Sequence, residues 1–204
     1  MTSSSSSDTA RWHPWCWLTS RGVVDIAPHR NVTVRWRPIS LLFKNETPPE
    51  SPFYDRVTHT LGLLRVLESV RRAEGDAPIG RLYEVYGNHI HHQKDAVDAA
   101  TALSEAGLSA SHAAAYDDKS WDTVIKDAMD EGLALTGKDV GTPILGFAKA
   151  NGTRVGFFGP VISRRLPLDD GLRLWDALVQ MVDVDHFWEL KRTRTETPDF
   201  TPVV

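Results

Sequence analysis

Cys16 is the only cysteine of the chain, and His13 stands three residues before it in the run His13-Pro14-Trp15-Cys16. A thiolate is a strong nucleophile at neutral pH. An imidazole can take the thiol proton, or stabilise the thiolate as imidazolium. At a helix start, a spacing of three lets the two side chains approach each other. Trp12, Trp15 and Trp17 interleave with them and form an apolar cradle suited to a planar, conjugated ligand. Thiol–disulfide exchange needs a second sulfur to release the product, and here it must come from outside the chain. A lone thiolate can also work without consuming electrons. It adds to an activated double bond, allows rotation about it and leaves, which is cis–trans isomerisation. Plainer roles compete: a buried cysteine packs as a small hydrophobe, a histidine at a helix start bonds backbone, and Trp17 reads as core.

Other residues are weaker candidates. Thr142-Pro143 follows Val140-Gly141 and offers an X-Pro bond of the kind that folded structure sometimes holds cis. His89, His91 and His92 suggest a metal site, but on a helix residues two apart do not share a face, so no metal is expected. Residues 191–194 read as a solvated basic tail.

The elements around these residues set the fold. The 204 residues carry 23 Lys+Arg against 27 Asp+Glu, a net charge of −4. That balance gives no electrostatic footprint for nucleic acid. No run of about 18 apolar residues predicts a membrane span. One cysteine excludes an intrachain disulfide and a multi-cysteine metal site. Residues 1–8 (M-T-S-S-S-S-S-D) lack the basic and apolar regions of a signal peptide and read as a flexible start, so a cytoplasmic location is expected.

Residues 16–27 fit a short helix ending before Pro28. Residues 31–39 alternate β-branched or aromatic residues with polar ones, a strand of period two. Residues 54–74, 79–90, 95–106, 109–116 and 119–135 read as helices with no strand among them. Strands return at 143–148 and 153–158, joined through Asn151-Gly152, a strong hairpin signal. A helix at 171–182 follows. A strand ahead of the first helix would complete β-α-β, helical block, β-β-α. That is the thioredoxin order: a core of residues 9–52 and 137–204, with 53–136 as an all-helical insertion.

P-W-C-W-L-T-S-R (14–21), Y-G-N-H-I-H-H-Q (86–93), G-K-D-V-G-T-P (137–143), F-F-G-P-V (157–161), L-W-D-A (174–177) and E-L-K-R-T-R-T-E (189–196) carry a resemblance. They resemble the DsbA-like branch of the thioredoxin fold that includes the mycothiol-dependent nitroreductases of actinobacteria. The resemblance implies an α/β thioredoxin-like fold and a C-P-W-C motif whose first cysteine attacks and whose second, more buried one resolves. This chain has His13 in the first place, so Cys16 stands in the resolving position. A strand ahead of the motif is implied too, at residues 3–12, which have little strand character. Asn88 and His91 match the family's G-N-x-I-H pattern, so His91 is expected in the cleft between insertion and core. Thr142 and Pro143 are expected to present backbone to substrate.

Three functions follow as expectations. The first is a cis–trans isomerase of a conjugated substrate, small or carried on an acyl carrier. It uses Cys16 as nucleophile and His13 as its base or charge partner, with no cofactor. Trp12, Pro14, Trp15, Asn88, His91, Thr142 and Pro143 would form its substrate site. Relatives of this branch are used in making polyketide cinnamoyl chains, which the resemblance makes relevant. The second is an oxidoreductase or nitroreductase in which mycothiol, or another low-molecular-weight thiol, is the second sulfur. The third is a non-catalytic binding protein. A homodimer is a further expectation from the resemblance.

Overall fold

A computed structural model describes residues 13–149 and 151–201. The flexible start expected at 1–8, the first strand expected at 3–12 and Trp12 lie outside the described residues. Helix α1 spans Pro14–Arg30. It is longer than the sequence reading and runs through Pro28, two residues short of its end. Asn31 stops it in the left-handed conformation (φ 51°), with its N–H on the Ala27 carbonyl.

Residues 31–39 do show the period of two expected of a strand, with inward positions alternating with exposed ones. They form no ladder with any described strand. The short helix α2 (Leu41–Lys44) follows, with the Ser40 hydroxyl accepting from the Phe43 N–H.

The helical block begins with α3 (Tyr54–Glu74) and α4 (Ile79–Gly87). A π-helical turn (Asn88–Gln93) replaces the regular helix expected up to Ile90. Next come α5 (Ala99–Glu105), 3₁₀ turns at Ala110–Asp117 and Lys119–Trp121, and α6 (Asp122–Thr136). One cluster fills its centre: Leu63, Val66, Leu67 and Val70 of α3 against Ile79, Leu82 and Tyr86 of α4 and Ala102 and Leu103 of α5. Buried Arg65 ties α3 to α6 through a bidentate pair with Asp122 (2.7 and 3.1 Å) and also bonds the Tyr116 carbonyl.

The chain then returns to the core. Strands β1 (Ile144–Ala148) and β2 (Arg154–Phe158) form the expected antiparallel hairpin, with Ile144 opposite Phe158 and Ala148 opposite Arg154. Gly146 and Gly156 face each other across it, where a Cβ would press on Leu135 of α6. Helix α7 (Leu168–Val182) packs on α1, and a bidentate Arg30–Asp176 pair (2.7 Å) joins the two. The order is that of a thioredoxin-like, DsbA-type fold with a helical insertion.

Candidate active site

Pro14 opens α1, where its missing N–H costs nothing and its fixed φ fits. His13 is the residue before it, at φ 34° and ψ 55°. A left-handed conformation costs a non-glycine residue about 1–2 kcal/mol, so the surrounding structure holds His13 in place. Its Nδ1 lies 2.9 Å from the Thr142 hydroxyl. The Thr142–Pro143 peptide is cis, and the Pro143 carbonyl accepts the Gly159 N–H at 2.8 Å. The Thr142 side chain also acts on the Cys16 thiol, as a hydrogen-bonding neighbour that favours the thiolate. Thr142, on a segment remote in sequence, therefore joins the two residues through its side chain. The sequence reading gave it only a backbone role.

Burial decides the protonation states. Desolvation pushes the Cys16 thiol up to about 12, and the hydrogen bond from Thr142 only partly opposes this. Desolvation pushes His13 down to about 4. The resting pair at neutral pH is thus a neutral thiol and a neutral imidazole. Of the two roles expected for His13, base or charge partner, the neutral pair favours the base, because an apolar setting penalises both charges. The hydroxyl between them can accept from S–H while donating to Nδ1. After proton transfer it can accept from Nδ1–H while donating to the thiolate. With the thiol near 12 and the imidazole near 4, this transfer is strongly uphill in the resting site and proceeds only as an electrophile takes up the charge on sulfur.

Cys16, His13, Thr142 and Pro143 line a cavity of about 910 Å³ between α1, residues 32–39, α3, α4 and β1. His91 lines it too, as expected. It is 5% exposed and stacked on Trp17, with ring centres 5.5 Å apart and planes 20° apart. Trp17 is 2% exposed and part of the core.

Other expected site residues fall elsewhere. Asn88 is exposed at the start of the π-helical turn, because the turn directs it away from the cavity-lining set. Pro14 and Trp15 are half-buried but not among the lining residues. The Arg194 guanidinium lies over the Trp15 ring at 5.1 Å, so the basic tail is not simply solvated. His89 pairs with Glu105 (3.0 Å) rather than with its neighbouring histidines. Among the described residues no three metal-ligating side chains converge.

Tyr83 was not singled out in the sequence. It lines the same cavity, and its ring packs on Trp17 (5.9 Å) and Trp36 (5.5 Å). Burial raises its hydroxyl pKa, as does the nearby Cys16, against a hydrogen bond with Ser20. This half-buried tyrosine beside the thiol is a second protonated group facing the cavity. Its only signal was one more aromatic on a helix already read as core.

The model of the family described as the mycothiol-dependent nitroreductase Rv2466c matches residues 12–192, nearly the whole chain. The chain belongs to this family. Within the nitroreductase family the resemblance implies a C-P-W-C motif. Here His13 holds the first position and Cys16 the second. In place of a dithiol this chain has one cysteine, with Thr142 and His13 beside it.

Proposed function

We propose that the protein is a thiol-dependent oxidoreductase of nitroreductase type that works with Cys16 alone. The observation that carries this reading is the Cys16–Thr142–His13 relay beside cis-Pro143, in a chain matched by the nitroreductase family over residues 12–192. A low-molecular-weight thiol such as mycothiol supplies the second sulfur. For each two-electron reduction, Cys16 and one such thiol join as a disulfide, and a second thiol equivalent frees Cys16. The lining fits such a partner: Cys16 faces a cavity, and Ser20, Thr60 and Thr142 offer hydroxyls to a polar one. The reaction belongs in a reducing compartment, the cytoplasm. No described helix is long and apolar enough to cross a membrane.

The chain's own residues do the following. Thr142 accepts the Cys16 proton and passes its own to His13 Nδ1, so the thiolate forms as an electrophile arrives. Tyr83 and the protonated His13 hold protons for the reduced oxygen of a nitro group. His91, Tyr83 and Trp36 line the cavity and form an aromatic wall against a planar substrate.

A second reading is favoured by one observation, that thiol and base are both neutral and joined by a hydroxyl. That set is also what reversible addition to a conjugated alkene needs, with no thiol consumed. One experiment separates the two. Wild type and Cys16→Ser are incubated with mycothiol and either a nitroaromatic or a conjugated cis-alkene. The oxidoreductase reading requires disulfide formation matched to nitro loss and abolished in C16S. Alkene isomerisation without thiol loss selects the second reading instead.

A further inference from the structure

The cavity that Cys16 lines runs along β1. Thr142 and Pro143 precede the strand, and each residue of β1 from Ile144 to Ala148 lines the cavity in turn. Away from Thr142, three elements meet in the lining: Glu131 and Leu135 of α6, Arg37 of the segment 32–39, and Arg154 of β2. Arg154 stands opposite Ala148 in the ladder, yet its guanidinium folds back across the hairpin. A Cβ on Gly146 would lie 3.7 Å from Arg154 Nη2 and 3.0 Å from Leu135 Cδ1, so the missing side chain of Gly146 leaves room for the guanidinium. Gly146 is four residues on from Thr142, at most about 13 Å of extended chain.

The charges at this end do not balance. Arg37 holds the Glu131 carboxylate at 2.8 Å, and Arg154 stands 3.9 Å from the same oxygen. Two guanidinia thus share one carboxylate. Among the described residues no hydrogen bond fixes the Arg154 guanidinium. The other charges of the lining are matched: Arg71 pairs with buried Glu68 at 3.1 Å and with Asp76, which also takes Arg35 at 3.6 Å. Arg154 and Glu131 are both about half exposed, and such a pair contributes little. An incoming anion therefore gives up little in competing for Arg154. A guanidinium offers its donors as a planar fork that a carboxylate fits with two parallel bonds. Much of the remaining lining is apolar, with Val34, Ile39, Leu63, Leu67 and Leu135 in it.

We propose that the Arg37–Glu131–Arg154 end of the cavity is an anion subsite and that the substrate is an elongated acid, with an electrophilic group at Cys16, an apolar body along β1 and a carboxylate on Arg154. This rests on the reading that Cys16 attacks the substrate, and it adds the charge and the shape of what is attacked. Glu131 competes with the ligand for Arg154, so removing its charge strengthens the subsite.

The test is calorimetry on full-length wild type, Arg154→Gln and Glu131→Gln with two probes of the same shape, 4-(4-nitrophenyl)butanoate and its uncharged primary amide. Wild type is expected to bind the acid about threefold to tenfold more tightly than the amide. R154Q is expected to lose that preference while the amide stays within twofold. E131Q is expected to widen it. Equal binding of acid and amide by wild type, no measurable binding of the acid, or a preference that survives in R154Q with native circular dichroism would overturn the subsite. Equal weakening of both probes in R154Q would overturn it too, since that reports a change of shape and not of charge. Failure of the Cys16 reading shows separately, as nitro loss from the acid that persists in Cys16→Ser while the dependence of binding on Arg154 is unchanged.

Discussion

Replacing Thr142 by Val keeps shape and removes the one hydroxyl that joins Cys16 to His13. The isopropyl group fills the same space beside the cis peptide, so packing is nearly preserved. What is lost is the hydrogen bond that stabilises the thiolate, in a setting where burial already holds the thiol near 12. A hydrogen bond to a charged group is worth about 1.5–3 kcal/mol, and 1.36 kcal/mol is one pKa unit. The thiol pKa is therefore expected to rise by about one to two units, and thiolate at fixed pH to fall about ten- to a hundredfold. The assay is the rate of Cys16 alkylation by iodoacetamide from pH 6 to 10, followed by intact mass. Wild type is expected to react slowly and to gain rate steadily with pH, with no plateau near 8.5. T142V is expected to be slower throughout, with His13→Ala less affected below pH 8. A T142V rate equal to wild type would mean that the hydroxyl does not hold the thiolate, and the relay would fall.

Three further outcomes follow from particular residues. His13 is held at about 4 against an ordinary 6.5, so below pH 6.5 the unfolded chain binds a proton that the native one does not. Stability should therefore fall between pH 6.5 and 4 by up to about 3 kcal/mol, and urea titrations should show that loss reduced in H13A. A Cβ on Gly87 would overlap the Trp17 ring, so Gly87→Ala should cost at least about 1–3 kcal/mol in chemical denaturation, while Gly107→Ala, with open space, strains only its positive φ. Arg65→Ala leaves Asp122 and the Tyr116 carbonyl without their partner and should cost about 3–5 kcal/mol, read from the midpoint of thermal or urea unfolding.

How much of this was legible in the sequence depended on whether a signal was local. The helical periodicity of residues 54–74 gave α3 at its observed bounds, because that face is buried on one cluster throughout. The Asn151-Gly152 turn placed the β1–β2 hairpin within one residue at each strand start. Pro28 misled, since a proline near a helix C-terminus can be carried for a final turn when Asn31 caps beyond it. The π-helical turn left no periodic signal, and it is what separates exposed Asn88 from buried His91. Residues 31–39 showed strand alternation, but ladder formation depends on a partner the local pattern does not encode. In the site, His13, Cys16, Thr142 and Pro143 were all named from residue type and motif. Their protonation was not, because the desolvation that sets it comes only with their burial in the fold. Tyr83 had no motif and became visible only as a neighbour.

The central claim is that Cys16 exchanges electrons with an external thiol. The direct measurement is stoichiometry: purified enzyme, a nitroaromatic and mycothiol, with nitro loss and mycothiol disulfide counted together in wild type and Cys16→Ser. The account predicts one disulfide per two-electron reduction step, a Cys16–mycothiol adduct visible by mass, and loss of both in C16S. Turnover of nitro substrate that persists in C16S, or substrate conversion with no disulfide formed, would contradict it.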